Sequence, residues 1–377
     1  MRQYNIGILG GGQLGRLMLA QALGWPITSK VLDPETEAPA ARLATQFVQG
    51  SLTDYQTVLD FGQDCQCLTI EIENVNVAAL QALEAQGKTV IPSPRTIALI
   101  QDKCLQKQFY HQSGIPTADF VLLSDKTDLQ KHLHRLPAVQ KLAREGYDGR
   151  GVQILRTADE LDKAFDAPSV LEALADIRAE VAVLVARNTR GEVVSYPATE
   201  VVYHPEHNLV DYLLAPARIP EAVAVRADAL ARRVAETMDF VGLLAVELFW
   251  TTDDQLWVNE VAPRPHNSGH HTIEANATSQ YAQLLRVLLD LPLGSTDTLS
   301  IAAMVNLLGA EGHTGTPHIV GWEQAMQQYE GIHCHLYGKK ITKPFRKMGH
   351  LTLLASSYEA LYQRIAYVQS TIKVLSR

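Results

Sequence analysis

The sequence predicts a chain of mixed class, α/β over its first hundred residues and α+β beyond them. Three observations carry this. Short apolar runs alternate with helical stretches as far as Pro94, the pattern of a parallel sheet with crossover helices, a doubly wound domain. A glycine-rich loop at 145–151 sits between two apolar runs, 138–142 and 152–155. Two further runs, 243–250 and 255–261, read as a β-hairpin with one glutamate inside each strand.

In order, residues 5–10 form a strand, a glycine turn follows, and residues 15–23 form a helix. Strands are expected at 29–32, 67–72 and 89–91, with a helix at 77–86. Residues 95–112 carry the spacing of one long amphipathic helix, stopped by Gly114 and Pro116. Residues 181–196 and 200–203 read as strands, 223–238 and 279–289 as helices, and 296–377 as a small α+β module.

The bulk composition narrows the classes. A length of 377 residues suggests two or three domains. The mix of 46% hydrophobic and 20% charged residues is that of an ordinary globular protein. A net charge of −8 argues against a uniformly basic nucleic-acid face. Cys65 and Cys67 form a C-x-C without a second pair at zinc spacing, so they read as buried apolar groups of a reducing compartment. No leader segment and no apolar run of about 18 residues is visible, so the expectation is a cytoplasmic protein without a membrane span.

Gly10, Gly12 and Gly15 follow a strand and open a helix, with Asp33 at the end of the next strand. That fits the dinucleotide fingerprint, which alone describes an NAD-dependent dehydrogenase. A plain strand-to-helix turn and an anion seat for a substrate phosphate are the other readings. The rest of the chain points away from the dehydrogenase.

The loop Gly146, Tyr147, Asp148, Gly149, Arg150, Gly151 can fold over a polyphosphate as a lid, since its glycines expose backbone N–H groups. No Gly-Lys-Ser/Thr follows, so it is not a Walker A loop, and a plain hairpin turn does not require a phenol, a carboxylate and a guanidinium. In the hairpin, a two-residue turn at Asp253 and Asp254 sets Glu247 opposite Glu260 on one face. Two facing carboxylates repel, and a divalent cation with phosphate oxygens, the usual Mg²⁺ environment, resolves that. A turn one residue longer slips the register and sends one glutamate to the other face. The segment 259–271 then leaves the hairpin with one arginine, three histidines and two asparagines, a rigid polar place for an anionic substrate. A zinc site at His266, His270 and His271 is its rival, without the HExxH pattern or a cysteine partner. Finally, Lys339, Lys340, Lys343, Arg346 and Lys347 form a basic loop in an acidic chain, either a phosphate site or a solvated surface.

Together these elements resemble the ATP-grasp superfamily and, within it, the 5-(carboxyamino)imidazole ribonucleotide synthases. The matching segments are Gly-Gly-Gly-Gln-Leu-Gly-Arg at 10–16, Glu-Ile-Glu-Asn-Val at 71–75, the glycine loop at 146–151, Asn-Glu-Val-Ala-Pro-Arg-Pro-His-Asn-Ser-Gly-His at 259–270 and Arg-Lys-Met-Gly-His at 346–350. They run in order over essentially the whole chain. The resemblance implies an N-terminal doubly wound domain at 1–100, an ATP-grasp domain at 101–295 with its lid at about 120–184, and a C-terminal domain at 296–377. It also implies ATP and Mg²⁺ as cofactors, a homodimer, and ATP-dependent carboxylation of aminoimidazole ribonucleotide by bicarbonate in purine biosynthesis. Formate-dependent glycinamide ribonucleotide transformylase is the nearest alternative, and a non-catalytic nucleotide sensor a more distant one.

The resemblance assigns roles by position. Lys103 and Lys141 meet the ATP phosphates, with Gly146 to Val152 above them. Glu172, Ala173, Leu174 and Ala175 meet the adenine and Glu180 the ribose, with Tyr203 or His204 beside the nucleotide. Glu247 and Glu260 bind Mg²⁺, next to Asn259. Tyr147, Arg264, His266, Asn267 and Lys339 frame bicarbonate and carboxyphosphate. Asp148 meets the ribonucleotide, and Arg150, Lys339 and Arg346 its phosphate. Two positions depart from the family pattern: Phe345 stands where glycine is usual, and Arg144 and Glu145 precede the lid where Gly or Thr is usual.

Overall fold

A computed structural model describes residues 3–144, 146, 151–204 and 209–377. The N-terminal region is a five-stranded parallel sheet in the order Gln46–Gln49, Ile27–Asp33, Tyr4–Leu9, Cys67–Ile70, Thr89–Val90. Its three central strands, Ile27–Asp33, Tyr4–Leu9 and Cys67–Ile70, are buried on both faces over most of their length, as crossover helices require. The strand Gln46–Gln49 and the helix Tyr55–Gly62 add to the elements expected from the sequence.

The expected helix 95–112 is two helices, Pro94–Ile100 and Lys103–Gln112. Asp102 causes the break, because its side chain accepts from the N–H groups of Cys104 and Leu105 and caps a new helix. The helix restart puts Lys103 on the first turn, where its N–H donates to the Ala143 carbonyl at 2.8 Å.

A four-stranded antiparallel sheet follows, in the order Phe120–Leu123, Ser169–Ala173, Ala138–Leu142, Val152–Leu155. The glycine loop joins its last two strands. Gly151 closes that hairpin at φ 72°, and a Cβ there would meet the Gly146 Cα at 3.1 Å. The remainder is a two-stranded ribbon, Pro317–Val320 with Lys373–Ser376, and one nine-stranded sheet. Its path is Leu256–Ala262, Gly242–Thr251, Ile177–Arg187, Thr199–Tyr203, Val210–Ala215, Ile301–Leu308, Lys347–Ala355, Ile332–Leu336, with Val193–Ser195 off this path. The run 181–196 is therefore a hairpin, turning at residues 188–192, and residues 177–184 belong to the central sheet rather than to the four-stranded one.

Strand Val210–Ala215 pairs with Ile301–Leu308, so one continuous sheet crosses the boundary expected at residue 296. One face of the helix Glu221–Thr237 carries Val223, Ala227, Leu230, Ala231 and Val234 and covers the hairpin strands. A second core joins the helices Gln13–Ala22 and Gln280–Leu288 to Ile91, Leu243 and Tyr337, tying the N-terminal sheet to the central sheet and to the basic loop.

Candidate active site

Glu247 and Glu260 face each other across the hairpin. The expected pairing holds, but by a different route. The turn is one residue longer, with Thr251 opposite Gln255 and Asp254 in the left-handed region at φ 64°. Near the turn the register is therefore slipped, with Leu248 opposite Val258. A bulge at Asn259 restores it before Glu260. The bulge also breaks side-chain alternation. Val258 and Val261 enter the core beneath the helix Glu221–Thr237, while the consecutive residues Asn259 and Glu260 both turn to the site.

Two lysines from other elements meet this face. Lys103 Nζ donates to Glu260 Oε2 at 2.7 Å, and Lys141 Nζ to Asn259 Oδ1 at 2.8 Å. Lys103 holds the Glu260 carboxyl far below its ordinary range, down to about 2. Burial and the facing Glu260 push Glu247 the other way, and its Oε1 lies 3.3 Å from His266 Nε2. Solvent still reaches both carboxylates, at 22% and 43% side-chain exposure. Among the described residues no three His, Cys, Asp or Glu side chains are grouped as metal ligands. Two partly exposed carboxylates, completed by phosphate oxygens, do fit Mg²⁺, which rarely uses an all-protein cage.

Beneath Lys141 lies a buried ion cluster. Glu172 is paired with Lys141 at 3.0 Å and with Lys107 at 3.2 Å. Burial alone would raise its carboxyl, and the two lysines outweigh that and lower it. Desolvation pulls Lys107 down to about 8. The Glu172 carboxylate is thus engaged by lysines, and its strand ends at Ala173. Lys107 escaped the sequence reading because nothing in helical periodicity marks it; its partner is 65 positions away.

Glu180 is hydrogen-bonded to Tyr203, and burial raises both. His204 instead lines a cavity with Asn306, Leu351 and Ile372, so Tyr203 is the member of that pair at the site. Arg264 pairs with Glu73 at 2.9 Å. The loop holding His266 and Asn267 is fastened by Gln280, which binds both main-chain groups of His266, at 2.9 and 2.8 Å. Lys339 Nζ reaches Gln13 Oε1 at 2.8 Å and the Lys347 carbonyl at 2.7 Å, whereas Lys340 and Lys343 are exposed. Arg346 donates to the Ile341 carbonyl at 2.8 Å, on the outer side of the same loop. Phe345 takes the glycine backbone conformation, φ 63°, so the loop keeps its shape at a cost in strain. Tyr147, Asp148, Gly149 and Arg150 lie outside the described residues, as does Glu145, while Gly146, Gly151 and Val152 are described.

In the N-terminal glycine turn, side chains of the protein itself take up backbone N–H groups. Glu71 accepts from the N–H groups of Gly12 at 2.7 Å and Gly15 at 2.5 Å, and Asp33 accepts from Gly11 at 2.7 Å. A Cβ on Gly12 would lie 2.3 Å from Glu71 Oε1. The chain's own carboxylates fill the place of a pyrophosphate, which removes the dehydrogenase reading. Burial pushes Glu71 up more than those amides pull it down. His270 and His271 are buried among protein groups, and no zinc grouping exists among the described residues.

Three family models match in order: a ribonucleotide synthetase preATP-grasp domain at 3–101, an ATP-grasp domain at 108–281, and a phosphoribosylaminoimidazole carboxylase C-terminal domain at 302–364. The N5-carboxyaminoimidazole ribonucleotide synthase of Synechococcus elongatus is 38% identical over 359 residues, 93% of this chain and 89% of that one. The crystal structure of the Thermotoga maritima synthetase superposes with a TM-score of 0.91 at 38% identity, covering 100% of both chains. That of the Aspergillus clavatus synthase, in complex with ADP and 5-aminoimidazole ribonucleotide, gives 0.87 at 32% identity over 98% of each. Identity at this level along nearly the full length of both chains means that this chain belongs to the N5-carboxyaminoimidazole ribonucleotide synthases, ATP-dependent ligases built on an ATP-grasp domain.

Proposed function

We propose that the chain carboxylates the exocyclic amine of 5-aminoimidazole ribonucleotide with bicarbonate, spending ATP and releasing ADP and phosphate. The observation that carries this reading is the convergence of Lys103 and Lys141, from separate elements, on the bulged strand bearing Asn259 and Glu260. Ammonium groups paired with carboxylates at an accessible site are available to a triphosphate, since both lysines can turn to phosphate oxygens. Glu247 and Glu260 are the residues that would hold Mg²⁺, which when bound neutralises the charge of the transferred phosphoryl group.

Bicarbonate is a poor electrophile. In this reading its oxygen attacks the γ-phosphorus, ADP leaves, and the resulting carboxyphosphate breaks down to carbon dioxide and phosphate. The ribonucleotide amine then adds to the carbon dioxide and loses a proton. Arg264, His266, Asn267 and Lys339 supply cationic and polar groups around the anions, while the lid excludes water that would divert the intermediate. Tyr147, Asp148 and Arg150 belong to that lid, and Arg346 to the phosphate end of the ribonucleotide. Main chain at 172–175 with Glu180 and Tyr203 receives the nucleoside. A cytoplasmic homodimer completes the proposal; a sedimentation mass near twice 41.5 kDa checks the dimer.

The test is ADP release assayed with each substrate omitted. Release that requires both bicarbonate and the ribonucleotide is expected, and formate in place of bicarbonate is expected to be silent. Glu260→Gln should abolish turnover; retained turnover refutes the metal assignment.

A further inference from the structure

Behind the substrate-facing loops three imidazoles stack. His270 follows the turn Asn267–Gly269, His350 lies in the strand Lys347–Ala355, and His335 is its cross-strand neighbour in Ile332–Leu336. Ring centroids are 4.5 Å apart between His270 and His350, and 4.6 Å between His350 and His335, with planes tilted by 28° and 17°. His270 and His350 are fully buried. Each ring is oriented through its Nδ1: His270 meets Tyr281 Oη at 3.1 Å and Gln280 Nε2 at 3.2 Å, and His350 meets Tyr337 Oη at 3.0 Å. His335 Nε2 is held by Glu274 at 2.6 Å. Neither Nε2 of His270 nor of His350 has a hydrogen-bond partner among the described residues. The two segments therefore meet through ring faces. An apolar pair would fill the same space without leaving buried nitrogens, so burial alone does not account for these side chains.

The ends of the stack identify what it joins. Gln280, bonded to His270, also grips both main-chain groups of His266, whose ring faces Glu247. Tyr337, bonded to His350, lies under the Lys339 ammonium at 5.5 Å, and that ammonium reaches Gln13 of the N-terminal glycine turn. An unbroken chain of contacts thus runs Glu247, His266, Gln280, His270, His350, Tyr337, Lys339, Gln13. It crosses three segments that otherwise come from distant parts of the sequence.

We propose that the stacked imidazoles of His270 and His350 set the spacing between His266 and Lys339, so that both act as positioning residues for the carboxylation. The inference rests on the reading of these loops given under Proposed function. Neither ring reaches the site itself; each acts through the neighbour it holds. Two loops that must bracket one substrate from separate strands need a rigid spacer, because a misplacement of about 1 Å can cost on the order of a hundredfold in rate.

The test uses His350→Leu, which fills the space but removes the stacked ring together with its Nδ1 bond, and Tyr337→Phe, which removes the bond tying the stack to the Lys339 loop. ADP release is measured against ribonucleotide and, separately, against ATP. Loss of one buried hydrogen bond predicts a rise of about tenfold in the ribonucleotide KM for each variant. The ATP KM should stay within about twofold, and the double variant should be no worse than either single one. An unchanged ribonucleotide KM, an equal rise in both KM values, or additive losses would each overturn the proposal. If His350→Leu fails to fold, Tyr337→Phe carries the same comparison by detaching the stack from the Lys339 loop. An unsubstituted chain without ribonucleotide-dependent ADP release strikes the functional reading; a competent chain with unaltered variants strikes the stack alone.

Discussion

Glu172 keeps its charge in a buried setting because two ammonium groups from different elements surround it. Removing one partner leaves an under-compensated charge, which is costlier than the pair itself is favourable. Lys107→Met should therefore lower unfolding free energy by about 3 kcal/mol, read from urea denaturation. A loss below about 1 kcal/mol would show that the remaining lysine suffices. Phe345 presents the opposite situation, a side chain forced onto a left-handed backbone. That conformation costs roughly 1–2 kcal/mol for an L-residue, and glycine's extra entropy in the unfolded chain returns about half of it. Phe345→Gly should thus gain about 1 kcal/mol in the same measurement; a net loss would mean that the ring's packing outweighs the strain.

The bulge is the element that makes the site. It lets two consecutive residues face the same way, and it corrects the slip introduced by the turn. Asn259 is the extra residue, so its deletion should leave a regular ladder with Glu247 still opposite Glu260 and Val261 still in the core. The expected outcome is a folded protein within about 1 kcal/mol of the parent in urea. Its ATP turnover should fall by roughly a hundredfold, because Lys141 loses its partner on the strand. Unfolding of this variant would show that the bulge is needed for the hairpin rather than for the site.

Across the whole molecule, one polar layer responds to acid. His270, His350 and His271 are buried and neutral, desolvation holding the first two well below their ordinary range and pushing His271 down to about 4. In the unfolded chain these groups titrate near 6.5. The unfolded state therefore binds more protons between those values, and stability rises with pH across that window. Stability from these groups is complete above about pH 6.5 and is lost as pH falls toward about 4. Urea midpoints measured from pH 7.5 down to 4.5 should fall steadily below 6.5, and a flat profile would show the histidines to be solvated. The layer belongs to no single domain, since the sheet that carries His350 continues into the strands beside the glutamate hairpin.

How far local order can be trusted explains what was legible in advance. Alternating strands and helices, the glycine loop and the two glutamate-bearing strands are properties of short stretches, where periodicity and turn chemistry act over a few residues, and the sequence by itself determined them. The tertiary structure alone decided that Lys107 and Lys141 share Glu172, that Glu71 occupies the N-terminal glycine turn, and that a bulge compensates a longer turn. Each of these pairs a residue with a partner far along the chain, or depends on a register that one extra residue shifts. Such choices are settled by which buried charges and amides find partners once the sheets have met, and no local pattern encodes that.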